Sequence, residues 1–103
     1  MILVTTDSIS GCEMETIQLV KGSTIQCKNF GSDFLSGLKN LVGGELKAYT
    51  DMMNEARRIA TERMIAEAQG LGANAIVGIR YTTSSVAAGA AEVIVYGTAV
   101  KIR

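Results

Sequence analysis

The chain has no histidine, no proline and no tryptophan. Without histidine, neither a Ser-His-Asp nor a Cys-His nucleophile can be assembled within one chain. Without proline there is no proline-rich linker, and no repeat or low-complexity tract divides the chain. Cysteine is scarce: Cys12 and Cys27 do not make a disulfide framework. Charge of one sign is missing as well, since ten Lys and Arg offset ten Asp and Glu. The cations run from Lys21 through Arg58 to Arg103 with no basic stripe, so no nucleic-acid partner is expected. No apolar run approaches the roughly 18 residues of a membrane span. Met1-Ile2-Leu3-Val4-Thr5-Thr6-Asp7 has no basic leader and meets an acid early. The expectation is a cytoplasmic protein with reduced thiols and no membrane partner.

What is present fits one domain over residues 1–103, of α+β class. A chain of this size can bury roughly two-thirds of its unfolded surface, so it needs no disulfide or metal to fold. The 48% hydrophobic and 19% charged residues exclude a disordered chain. Met1 to Thr6 is β-branched and apolar, as in a short strand. Thr16–Val20 and Thr24–Lys28 alternate, with Ile17 and Leu19 on one side and Gln18 opposite. Lys21-Gly22-Ser23 between them predicts a hairpin turn. Gly31-Ser32-Asp33 can cap a short helix carrying Phe34, Leu35, Leu38, Leu41 and Val42 at helical spacing.

From Glu45 to Gln69 an apolar stripe steps by three or four through Leu46, Tyr49, Met53, Ala56, Ala60, Met64 and Ala68. Gly70 is placed to end this long helix in a left-handed conformation. At 1.5 Å per residue it is roughly 37 Å long, against a radius of gyration of about 13 Å for a compact chain of this length. It spans the domain or reaches past it. Ala75–Thr83 and Glu92–Ile102 are the last strands, joined through Ala87-Ala88-Gly89-Ala90. The expected order is β-β-β-α-α-β-β, a small mixed or antiparallel sheet with one short and one long helix.

Val77, Ile79 and Tyr81 alternate with Ile76 and Gly78, and Val93, Val95 and Ala99 with Ile94, Tyr96, Val100 and Ile102. Both faces read as apolar, whereas a sheet covered by helices on one side normally has one polar face. Another copy of the chain would cover the second face. The alternative is that the short helix packs behind the sheet within the monomer.

Candidate chemical motifs are few. Gly70-Leu71-Gly72-Ala73-Asn74-Ala75 matches a loose dinucleotide pattern, but it follows a helix and precedes a strand, the reverse of what pyrophosphate binding needs. A helix stop with a tight turn explains it. Gly43-Gly44 could form an anion nest, but Glu45 would repel the anion, and a connector explains it better. Cys12 and Cys27 are not in metal-ligand spacing and without histidine could supply only two of the four ligands of a structural zinc site, and Cys27 also fits as a core-facing strand residue beside Ile25. Met52, Met53 and Met64 on the long helix fit adaptable core packing better than a thioether metal site. Glu13 and Glu15 could pair for acid–base work or bind a hard cation, and a solvated strand face explains them equally well. Ser84-Ser85 has no nucleophile context. No catalytic, cofactor or metal residue is assigned.

Several stretches together resemble the YbjQ-type family, small bacterial and archaeal proteins that are mostly uncharacterised. They are Val4-Thr5-Thr6, Asn29-Phe30-Gly31, Asp33-Phe34-Leu35-Ser36-Gly37-Leu38, Leu41-Val42-Gly43-Gly44, Tyr49, Glu55-Ala56-Arg57, Leu71-Gly72-Ala73-Asn74-Ala75-Ile76-Val77-Gly78 and Tyr96-Gly97-Thr98-Ala99-Val100. The resemblance implies a dodecin-like α+β subunit, a ring-like homo-oligomer of five copies, and a heavy-metal-binding label whose ligands map onto no position here. The expected function is a homo-oligomeric binding or structural module, not an enzyme, that takes a metal ion or small ligand. The alternative is an enzyme whose site forms between subunits from carboxylates, Tyr or Lys.

Overall fold

The computed structural model describes residues 1–27 and 47–103. The short helix expected after Gly31, and Gly43-Gly44, lie outside the described residues. The elements are β1 (Ile2–Leu3), β2 (Met14–Cys27), α1 (Lys47–Gly70), β3 (Ala75–Ala87) and β4 (Ala90–Ile102). One mixed sheet has the order β1-β3-β4-β2, with β1 parallel to β3 and the other neighbours antiparallel. The mixed α+β architecture is the one expected.

The hairpin expected at Lys21-Gly22-Ser23 does not form. The two short strands are one continuous 14-residue strand, paired with β4 from Met14↔Ile102 to Cys27↔Ala90. Gly22 has a different task there. A Cβ on it would lie 2.0 Å from the Ala60 carbonyl oxygen and 2.5 Å from the Met64 nitrogen. Only glycine lets the helix backbone sit this close to the strand. Ala56, Ala60 and Ala68, all fully buried, keep the facing side of the helix equally low. Glu67 accepts from the Lys21 amide at 3.2 Å, and Arg63 donates to the Ser23 carbonyl at 2.7 Å. As helix numbers fall, strand numbers rise, so α1 runs antiparallel to β2.

The left-handed residue that stops the helix comes two positions later than expected. Gly72, with φ of 81°, is the left-handed residue, and Gly70 is still helical. The Gly72 amide donates to Gln69 and the Ala73 amide to Ala68, the double bond pattern that closes the last turn. Asn74 then copies a strand with its side chain. Its Nδ2 donates to the Ile102 carbonyl at 3.1 Å, and its Oδ1 accepts from the Ile102 amide at 2.7 Å.

Two bulges decide which side chains enter the core. In β3, Val77 opposes Thr98 and Arg80 opposes Tyr96, so Gly78 and Ile79 together face Gly97. Gly78 takes φ of 63°, which a glycine adopts at little cost. The extra residue reverses the alternation. Ile79 does not share a face with Val77, as simple alternation predicts; it joins Ile76 under the helix. Gly97 leaves room for both, since a Cβ there would meet the Ile76 Cγ2 at 2.8 Å. In β2, the register shifts between Thr16 and Gln18. Ile17 therefore packs against the helix-side core while Leu19 stays on the opposite face, again contrary to simple alternation.

The helix-side core gathers Val20, Met53, Met64, Ile76, Ile79, Val93 and Val95. A second cluster on the other face holds Ala75, Val77 and Val100, with Val4, Ile9, Met14 and Ile102 packed against it. The N-terminal segment is thus the cover for this half of the second face, a solution the alternation alone does not reveal. It also satisfies the bulge: Thr6 and Val4 carbonyls accept from the Gly78 and Ile79 amides at 2.8 and 3.1 Å.

Candidate functional site

Beyond the second cluster the same face continues without a cover among the described residues. Cross-strand register sets its rows: Leu19↔Thr98, Lys21↔Tyr96↔Arg80, Ser23↔Ile94↔Thr82 and Ile25↔Glu92↔Ser84. Leu19 is 63%, Ile25 56% and Tyr96 41% exposed, on strands whose opposite side chains are buried under α1. A large apolar residue alone in water is ordinary, but several on one continuous sheet face mark a surface meant to be covered. Polar groups interrupt it. Lys21 and Arg80 flank Tyr96 in one row, and Arg80 donates to the Thr5 carbonyl at 2.9 Å.

The chemical candidates are dispersed by the fold. Cys12 lies in the turn before β2, where its amide donates to Ile9, and Cys27 ends the same strand. The 14 residues of β2 put the two thiols roughly 40 Å apart at about 3.3 Å per residue. They cannot share a metal ion or a disulfide within one chain, and both are free. Among the described residues no three His, Cys, Asp or Glu side chains converge on a point that could hold a metal. Glu15 pairs with Arg103 at 3.2 Å, while Glu13 precedes the strand and accepts the Arg103 amide with its carbonyl. Met52, Met53 and Met64 are buried core residues. Gly70 and Gly72 belong to the helix stop. Ser84 and Ser85 lie exposed on β3. On the wet side of α1, Arg58 bridges Glu55 and Glu62. Its hydrogen bond holds the Glu55 carboxyl below the usual carboxylate range, and bonds to Glu55 and then Glu62 raise the Arg58 guanidinium.

The described residues define a class: a small α+β subunit with a long helix seated on a mixed sheet and, among those residues, half of the opposite sheet face bare. The chain belongs to the YbjQ_1 family, whose model, described as "Putative heavy-metal-binding", matches residues 1–103. It is 74% identical to a UPF0145 protein of Clostridium novyi, over 99% of each chain. It is 69% identical to one from Alkaliphilus metalliredigens, over 98% of each. A crystal structure of a protein of unknown function in the DUF74 family, from Pediococcus pentosaceus, superposes with a TM-score of 0.69 at 17% identity. It covers 100% of this chain and 98% of that one, and it supports the fold. The family description implies a heavy metal, and the donors described within one chain do not fit one: the two thiols are a strand's length apart, and among the described residues no three His, Cys, Asp or Glu side chains converge.

Gly22, Gly78 and Asn74 are the positions that sequence reasoning missed. A lone glycine inside an alternating strand is a signal for a bulge or a close backbone approach, and both glycines carry it. Asn74 has no such local signal, because its partner is 28 residues away.

Proposed function

We propose that the chain works as a homo-oligomeric binding or structural module, with other copies covering the bare half of the sheet. The exposure of Leu19, Ile25 and Tyr96 on one face carries this reading. The long axis supports it: extents of 53 × 25 × 17 Å and a radius of gyration of 17.0 Å exceed the roughly 13 Å of a compact chain this long. A long, thin subunit has more surface to bury in an assembly. The resemblance found in the sequence adds a ring of five. No described helix is long and apolar enough to cross a membrane, and free thiols suit the reducing cytoplasm. The ligand, a metal ion or a small molecule, sits between copies, where symmetry brings together donors that one chain keeps apart. Light scattering of the purified protein at micromolar concentration tests the assembly. A multiple of the 10.9 kDa chain mass is expected, and a monomer would refute it.

A further inference from the structure

A sheet has edges as well as faces, and the two long edges of this sheet are not alike. In an antiparallel ladder the amide and carbonyl of one residue point to the same side. Lys21 and Ser23 point away from β4, since Glu67 and Arg63 reach them from outside the sheet. Gly22 and Thr24 therefore bond inward, to Val95 and Val93. Tyr81 and Thr83 oppose those same two β4 residues, so their own backbone groups point outward, as do those of Ser85. β1 occupies this edge only beside the first residues of β3. No backbone hydrogen bond to the Tyr81, Thr83 or Ser85 amide is formed by a described residue outside the strand pairing.

Natural sheets protect long edges with charge, proline or a covering element. The β2 edge is protected at Lys21 and Ser23 by charged side chains of α1. The run Tyr81-Thr82-Thr83-Ser84-Ser85-Val86 has neither charge nor proline and is exposed along its length. Among the described residues nothing guards this strand. Beyond Ser23, β2 has a matching stretch at the same level of the sheet: Thr24 and Thr83 both oppose Val93, and Gln26 and Ser85 both oppose Ala91. The outward groups of Ile25 fall in that stretch.

Resting on the oligomeric reading above, we infer that the distal edge of β3, Tyr81–Val86, pairs with the distal edge of β2, Thr24–Cys27, of a second copy of this chain. β2 and β3 both run antiparallel to β4 and hence parallel to each other, so the junction is a parallel one. The two edges lie on opposite sides of the sheet, which makes the contact head-to-tail; such contacts make a ring where the rotation from copy to copy closes. Closure leaves no free distal edge and curls the bare face inward, with α1 outside. Pairing β3 with β3 about a twofold axis would leave the β2 edge and the apolar face in water.

Amide hydrogen exchange on the full chain at assembly concentration tests this. The Tyr81, Thr83, Ser85 and Ile25 amides are expected to exchange at least ~100-fold more slowly than in an unpaired edge. An assembly in which only the β3 amides, or neither set, are slow would overturn the edge pairing and leave the oligomeric reading standing. A monomer would overturn both. Thr83→Pro removes an amide that the monomer does not use. It is expected to keep its circular dichroism and lose the assembly; a variant that assembles like the parent would refute the junction.

Discussion

The two halves of the sheet have the same helix on one side and opposite fates on the other. The half around Ala75, Val77 and Val100 is clothed by the chain's own first residues, which also bond the bulge at Gly78. The half around Leu19, Ile25 and Tyr96 is bare among the described residues. The strand composition hardly differs. What differs is reach: the 13 residues before β2 loop back over one end of a sheet whose strands are 13 and 14 residues long. An alternating apolar pattern thus announces that a face will be covered, and says nothing about which chain covers it.

The largest expected effect probes the side the halves share. Gly22→Ala places a methyl group inside the Ala60 backbone, so α1 must lift from β2. A loss of about 3 kcal/mol, the upper end of ordinary overpacking, is expected in urea denaturation. The thermal midpoint should fall by roughly 12–20 °C. A variant as stable as the parent would show that the helix is not seated there. Next comes the clothed half. Asn74→Ala removes both bonds to Ile102 and leaves a half-buried amide unpaired, with an expected loss of about 2 kcal/mol. Faster exchange of the Ile102 amide should accompany it.

The bare half should respond differently. Leu19→Ser with Ile25→Ser is expected to change folding of the dissociated chain by no more than about 0.5 kcal/mol, while weakening association measured by light scattering. A loss of several kcal/mol in the dissociated chain would mean that the face is already covered within it. The smallest effect belongs to the wet side of α1, outside either half. Arg58→Ala should leave the neutral-pH melting midpoint unchanged within error, because exposed ion pairs contribute little. The sign with pH is set by Glu55, whose folded carboxyl sits below its ordinary 4.5. Whatever stability the pair adds is present above that ordinary value. It fades as pH falls through the lowered folded value, so parent and variant converge in acid.

The candidate site was half legible before any coordinates. The alternation of Ile94, Tyr96, Val100 and Ile102 with Val93, Val95 and Ala99 announced an apolar second face. Its extent was not legible, because the bulges at Ile17 and Gly78 exchange residues between faces, and a one-residue slip reverses every side chain beyond it. The chemical candidates were legible only as residue types. Cys12 and Cys27 could supply only two of the four ligands of a zinc site, and the continuous β2 holds them a strand's length apart.

By itself, the sequence determined the mixed α+β class, the long amphipathic helix, its glycine-rich stop and the β3–β4 hairpin. Each of these depends on residues within a few positions of one another, where periodicity and local backbone preference decide. Tertiary structure alone decided what the glycines do. Gly22 and Gly78 both carry the general signal of a glycine inside an alternating strand, and glycine's freedom permits a turn, a bulge or a close approach alike. The choice at Gly22 was made by Ala60 and Met64, and at Gly78 by Val4, Thr6 and Gly97. Those partners lie roughly twenty to seventy positions away, beyond the range of any local pattern.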